Sequence, residues 1–286
     1  MKTKSITKVT LLSIFVMSVI TAVTLNSCQK ENIKPKNVNT PTNQNTASTL
    51  DANASLILNE SSNLLFGSTT NEKGLLPKGS DTASCATRTY DTINKPYTII
   101  YDYGTTGCVS SDGMTRSGVV SVTWAEKDIR VVNNAITISY QNYSVGKTTF
   151  NGSISFVNDG PNGNGNQVIN ETGTILTTSS TQTDTMIVNY NNEWLSGEFS
   201  SPAANWQFST TGSIHAGSST GKQANMLITS ALIKNAKTPG CSFTIQGTET
   251  ITLPGQATQY IDFGNPGGCS GQKAVTQNGT TTIENQ

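Results

Sequence analysis

Two glutamates beside a tryptophan are the first residues in this chain that could do chemistry together. Glu193 and Glu198 lie five positions apart, on either side of Trp194. A glycoside hydrolase uses such a pair of carboxylates to protonate the leaving oxygen and to attack or activate water. Residues five positions apart point to opposite faces of a regular strand, so Gly197 would have to introduce a bulge. We favour the interpretation that the two glutamates lie at the charged rim of a hairpin. The alternative is that the protein is a carbohydrate-active hydrolase that uses both of them.

Three aspartates lie beside glycines in sequences typical of turns. Asp102 and Asp262 each precede an aromatic residue and a glycine, and Asp112 precedes Gly113. A carboxylate in such a position accepts hydrogen bonds from the amide groups of the turn. It is also a ligand that calcium prefers, although the spacing does not fit an EF-hand. We expect turn capping and no cofactor, with a structural calcium ion as the alternative.

The densest aromatic segment contains Tyr190, Trp194 and Trp206. Exposed aromatic rings on a rigid sheet can stack on sugar rings, which makes these three residues candidates for facing a ligand. However, Trp206 and Phe208 alternate with Gln207, as residues of a buried strand face do. Core packing is therefore the interpretation that we favour, and ligand binding is the alternative.

Nucleophilic catalysis has little support in the sequence. His215 is the only histidine. A Ser-His-acid triad needs a strained serine, such as the centre of a Gly-x-Ser-x-Gly turn between a strand and a helix, and no Gly-x-Ser-x-Gly in this sequence has a convincing strand-to-helix context. It also contains no glycine-rich phosphate loop that leads into a helix. We therefore expect that the protein is not an enzyme.

The N-terminus has the pattern of a lipoprotein signal peptide. Lys2, Lys4 and Lys8 are followed by an apolar run at 9–23 and then by the sequence Leu-Asn-Ser-Cys, which ends at Cys28. This pattern predicts a signal peptide over residues 1–27, cleavage before Cys28 and acylation of that cysteine. An ordinary signal peptide with an incidental cysteine is the alternative. The predicted location is the outer membrane, either on the cell surface or facing the periplasm.

The other four cysteines predict disulfides, because an even number in an exported chain is typical of them. A metal site is disfavoured, since there is no CxxC spacing. Two similar units suggest the pairing: in each, an apolar-Asp-aromatic-Gly sequence precedes a Gly-Cys pair and follows an upstream cysteine. We therefore predict the disulfides Cys85–Cys108 and Cys241–Cys269.

The composition limits the partners that the protein could have. Only 13% of residues are charged and the net charge is zero, whereas about 25% is usual. Recognition of nucleic acid or of an anionic membrane surface by charge is therefore disfavoured. A glycan or a surface protein remains a candidate partner, in addition to the membrane that the lipid would enter.

The rest of the chain must position these residues. Residues 28–49 are polar and predict a flexible tether. Residues 50–84 predict an amphipathic helix and a connection, with the apolar side chains of the helix on one face: Ala54, Ile57, Leu58, Leu64 and Leu65. From residue 85 to 286 apolar residues alternate with polar ones and turn sequences separate the runs. The expected fold is all-β, an antiparallel β-sandwich or an extended β-meander with one short N-terminal helix.

A short repeat accompanies this alternation. Glycine next to Ser or Thr recurs in five places, at Gly152, Gly173, Gly212, Gly247 and Gly279. We expect these glycines at the starts of strands, where they would relieve a bend or a bulge.

In combination, several motifs resemble a family of exported lipoproteins of Bacteroidota. The resemblance rests on Cys85, the run 98–104, the Gly-Cys pair at 107–108, the run 112–118 and the second Asp-Phe-Gly and Cys segment at 262–269. It covers most of residues 50–286. It implies a surface or periplasmic lipoprotein without established catalytic residues. The function that we expect is non-catalytic, either surface binding and adhesion or a structural role.

Overall fold

The structure is a computed structural model that describes five residues of an N-terminal helical segment and most of the chain from residue 83 onward. The described residues are Asn53, Leu56, Ile57, Glu60, Ser61 and the ranges 83–126, 131–179, 182–196, 207–235, 244–264 and 268–286. All of them lie within one compact unit, Thr40–Gln286. The predicted tether at 28–49 and the signal peptide at 1–27 lie outside the described residues.

In the described part of the chain, fourteen antiparallel strands form a single sheet. Each pairs with its neighbour along the chain, except that β2 pairs with β4, and the short β3 also pairs with β4. The strands are β1 Thr87–Asp91, β2 Tyr97–Asp102, β3 Cys108–Val109, β4 Thr115–Trp124, β5 Ala135–Val145, β6 Thr148–Pro161, β7 Gln167–Thr178, β8 Thr183–Ser196, β9 Gln207–Ser218, β10 Gln223–Asn235, β11 Thr244–Thr252, β12 Gln259–Asp262, β13 Gln272–Gln277 and β14 Thr280–Asn285. The all-β antiparallel prediction is confirmed, and of its two forms the strand order is that of the extended meander.

One face of the sheet supplies the hydrophobic core. Along β4, Val120, Val122 and Trp124 are buried while the residues between them are part-exposed, and this alternation continues in the following strands. Since side chains alternate between the two faces of a strand, every second residue enters the core. The buried residues of the strands belong to one hydrophobic core, which also includes Ile57 from the segment before the sheet. We call the buried side the inner face and the other side the outer face.

Glycines permit close approach between strands at several points of the sheet. A Cβ at Gly152 would lie 2.2 Å from the Thr174 carbonyl oxygen, and one at Gly212 would lie 2.1 Å from that of Asn189. Both residues have positive φ, 119° and 125°, which a side chain would disfavour. They lie in the middle of β6 and β9 rather than at strand starts, which corrects the prediction, while the need for glycine is as expected.

A helical segment before the sheet contributes to the core. The described helical residues are Asn53, Leu56, Ile57, Glu60 and Ser61, a spacing that puts them on one helix face. Ile57 is fully buried and belongs to the hydrophobic core. Of the face predicted from sequence, Ile57 is described, whereas Ala54, Leu58, Leu64 and Leu65 lie outside the described residues. No helix in the described part of the chain is long and apolar enough to cross a membrane.

Candidate functional site

The three predicted aspartates all accept hydrogen bonds from turn amides. Oδ1 of Asp102 accepts the N–H of Gly104 at 2.8 Å, and Oδ1 of Asp262 accepts that of Gly264 at 2.7 Å. Asp112 accepts the N–H of Met114 at 3.0 Å. The three carboxylates thus cap their turns. Among the described residues, no group of three or more His, Cys, Asp or Glu side chains is arranged to hold a metal ion.

The predicted disulfide between Cys85 and Cys108 is confirmed, with an S–S distance of 2.09 Å. It joins the segment before β1 to β3. Cys269 is also disulfide-bonded. Its pairing with Cys241 stays a prediction, because Cys241 lies outside the described residues, as does the predicted lipidation site Cys28.

Glu193 is hydrogen-bonded to the loop between β6 and β7. Its Oε1 accepts hydrogen bonds from the side-chain amides of Asn166 at 2.7 Å and Asn162 at 2.8 Å, two residues of the β6–β7 connection. These bonds favour the ionised carboxylate and hold the pKa of Glu193 below its usual value. A general acid of a glycosidase needs a raised pKa instead. Glu198, its predicted catalytic partner, lies outside the described residues.

The aromatic candidates do not face solvent. Tyr190 is 6% exposed and Trp194 is 2% exposed, and both belong to the core of the inner face. The ring of Trp194 packs against that of Phe208 with centroids 4.9 Å apart. Strand alternation places both candidates on the buried side, so the ligand-facing alternative for Tyr190 and Trp194 is corrected to core packing. Trp206 lies outside the described residues.

Buried charges connect the helical segment to the sheet, a contact that no motif in the sequence indicates. Arg116 of β4 is 1% exposed. Its Nη2 donates to Oε1 of Glu60 at 2.7 Å and to Oδ2 of Asp112 at 2.7 Å. The hydroxyl of Tyr143 donates to Oε2 of Glu60 at 2.6 Å. The guanidinium holds the pKa of Asp112 below its usual value. Because each charged group in this cluster has a partner, we assign the cluster to the architecture.

A second buried carboxylate lies on the inner face of β7. Glu171 is 6% exposed, and its Oε2 accepts the side-chain amide of Asn192 at 3.1 Å. Asn192 in turn accepts the hydroxyl of Thr210 at 2.7 Å. Burial raises the pKa of Glu171 to about 7, although the Asn192 hydrogen bond and the charge of Lys234 act in the opposite direction. Glu171 therefore titrates near neutrality.

The outer face is a candidate surface for a partner. In the middle of the sheet, strand register aligns outward residues in two rows that run from strand to strand. The first outer row is Thr98, Thr123, Thr137, Ser155, Thr172, Asn189, Ser213, Leu227, Thr250, Tyr260, Thr276 and Thr281. The second outer row is Thr89, Ile100, Ser121, Ser139, Ser153, Thr174, Ile187, His215, Asn225 and Thr252. Neither of these described rows contains a Lys, Arg, Asp or Glu.

The two rows differ along their length. On β4 to β7 every member is a Ser or a Thr, and we call these eight residues the hydroxyl array: Thr123, Thr137, Ser155 and Thr172 in the first row, and Ser121, Ser139, Ser153 and Thr174 in the second. Each is part-exposed or exposed. From β8 onward, apolar residues such as Ile187, Leu227 and Tyr260 join the rows, and each is at least half exposed.

A shallow depression of about 280 Å³ lies on the outer face, on β8 to β10. It is lined by residues that include Ile187, His215 and Asn225. Nδ1 of His215 is hydrogen-bonded to Oδ1 of Asn225 at 2.5 Å. The predicted site residues thus divide among the turns, the core and the loops, and the outer rows became visible only when strand register was known. Comparison with protein-family models, with curated proteins and with solved structures gives no match for this chain.

Proposed function

We propose that this chain is an exported lipoprotein whose β domain is a non-catalytic binding module. In this proposal Cys28 carries the lipid, residues 28–49 form the tether, and the domain stands at the outer membrane. The proposal of an anchor is supported by the basic and apolar N-terminus and by the sequence that ends at Cys28. The resemblance to exported Bacteroidota lipoproteins also supports the proposal of a lipid anchor.

The outer face is the observation that supports a binding role. Its two central rows are neutral across most of the sheet and mix hydroxyl, amide and a few apolar side chains. Surface strands usually carry charges for solubility, and about a quarter of residues in an average domain are charged. A neutral, rigid and hydrogen-bonding surface suits a partner that is itself uncharged, which includes many glycans and some surface proteins.

The anchor is tested by metabolic labelling with a radioactive fatty acid in a bacterial host. We expect the full chain to incorporate label and to sediment with membranes, and the Cys28→Ser variant to do neither. The matched control is Ser27→Ala, which keeps a small residue before the cysteine and should be labelled normally. A labelled Cys28→Ser chain would refute the assignment of the lipid to Cys28.

Binding is tested with the detergent-solubilised full chain, which is incubated with intact cell envelopes and applied to a glycan array. We expect retention on envelopes, and on the array if the partner is a glycan. Absence of retention on both would refute the binding role. Release of reducing sugar from any retained glycan would refute the non-catalytic assignment and favour the hydrolase alternative.

A further inference from the structure

We propose that the hydroxyl array is a binding site for a neutral polysaccharide. This proposal rests on the binding function proposed above, and it names both the ligand class and the part of the outer face that binds it. The site would consist of eight Ser and Thr side chains on four neighbouring strands, β4 to β7, in the two outer rows.

The first argument is regular spacing on a fixed frame. Neighbouring strands lie about 4.8 Å apart, and alternate residues of one strand lie about 6.7 Å apart. The array therefore presents hydroxyls at nearly constant intervals over three strand spacings, about 14 Å. Each member sits in a paired position of a continuous antiparallel sheet, so little backbone freedom is lost on binding. A repeating polymer matches a repeating surface better than a single small molecule does.

The second argument is unused hydrogen-bonding capacity. Hydroxyls on paired strands can bond each other, as those of Ser117 and Ser144 do at 2.6 Å and those of Thr276 and Thr281 do at 2.7 Å. Within the part of the chain that the structure describes, the array hydroxyls make no such bond, to one another or to any other side chain or backbone group. Each hydroxyl can donate one hydrogen bond and accept two, so the array can bond an external ligand without breaking any internal contact.

The third argument is chemical complementarity. Sugar hydroxyls both donate and accept, and they can meet a surface whose groups do the same. An anionic polysaccharide would require nearby cations, and neither outer row contains a Lys or an Arg. A protein partner usually needs apolar and aromatic anchors, and the array has none. A neutral polysaccharide is the class that fits all three observations.

The test uses two triple variants of the full chain in detergent. The array variant is Thr123→Val, Thr137→Val and Thr172→Val, and the control variant is Thr211→Val, Thr250→Val and Thr252→Val. Valine keeps the shape and the strand preference of threonine and removes the hydroxyl. The control threonines also lie on the outer face but outside the array. Circular dichroism and thermal unfolding test whether both variants are folded.

The probes are cellulose, amylose and mannan as neutral polysaccharides and polygalacturonate as a charged one. We expect the wild-type chain to bind at least one neutral probe and not polygalacturonate. The array variant should bind about tenfold more weakly or worse, because three hydrogen bonds are lost, and the control variant should bind as the wild type does.

Four outcomes would overturn the proposal. They are equal binding by wild type and array variant, equal losses in both variants, binding of polygalacturonate alone, and no binding of any neutral probe. If none of the neutral probes is bound, the polysaccharide site is refuted. The binding function itself is refuted only if retention on intact cell envelopes is absent as well.

Discussion

Replacement of Glu171 by glutamine should change how the stability of the domain depends on pH. The folded protein holds the pKa of this buried carboxyl at about 7, above the ordinary value of 4.5. Between these two values the folded state binds the proton and the unfolded state does not. The stabilisation is therefore complete below about pH 4.5 and is lost as pH rises towards 7 and above.

The size of the effect follows from the pKa difference. Each pKa unit corresponds to 1.36 kcal/mol, so a difference of roughly 2.5 units corresponds to about 3 kcal/mol. A glutamine side chain at this position would be uncharged at every pH and could still accept the hydrogen bond from Asn192. We expect the stability of the Glu171→Gln variant, relative to wild type, to increase by about 3 kcal/mol between pH 4 and pH 8.

The assay is denaturant unfolding of both proteins at pH 4, 6 and 8, with the free energy of unfolding extrapolated to water. The variant-minus-wild-type difference isolates Glu171 together with Lys234, the group coupled to it, because the Glu171 carboxylate raises the pKa of that lysine. The matched control is Glu193→Gln. Since the pKa of Glu193 is lowered, its replacement should cost the same stability at pH 6 and pH 8, and this cost should decrease only as pH falls below the ordinary value of 4.5. A Glu171→Gln difference that stays constant between pH 4 and 8 would refute the reasoning.

Three further variants test the architecture by the same unfolding measurement. Arg116→Ala should cost about 3–5 kcal/mol, because it leaves a buried carboxylate of the helical segment unpaired; a loss below about 1 kcal/mol would contradict this. The Cys85→Ala, Cys108→Ala double variant should lose about 3 kcal/mol, from the chain entropy of a loop of 23 residues, and reduction of the wild type should give a similar loss. Gly212→Ala should cost about 2 kcal/mol, because Gly212 has a positive φ and its added Cβ would lie too close to a carbonyl oxygen of β8. The control is Gly217→Ala, whose added Cβ would have no atom within 4 Å. It should cost less than about 1 kcal/mol.

Local signals in the sequence predicted the features that depend on neighbouring residues. Alternation of apolar and polar residues predicted half-buried strands, because side chains alternate at every residue of a strand. The Asp-aromatic-Gly sequences predicted turn caps, since the carboxylate reaches an amide two residues away. The duplicated motif around Cys108 also predicted its disulfide partner correctly.

Features that depend on distant residues were not predicted. Arg116 and Glu60 are separated by 56 positions, and no pattern in the sequence links these two residues. The pKa of Glu171 depends on burial that three-dimensional packing creates. The hydroxyl array could have been suspected from Ser/Thr-x-Ser/Thr in four successive strands. However, a one-residue slip in register would have moved each strand's hydroxyls to the other face, so alignment into rows required the pairing itself.

The strand order has a consequence for how the chain acquires its structure. Nearly every strand pairs with the one next to it in sequence, so the loops that must close are short and their entropic cost is low. Contact order is therefore low for an all-β protein, and low contact order favours rapid folding. When the chain emerges with its N-terminus first, each new strand can pair with the preceding one before the later segments are present. On this view, β1 and β2 form the template, and β14 is the last strand to join.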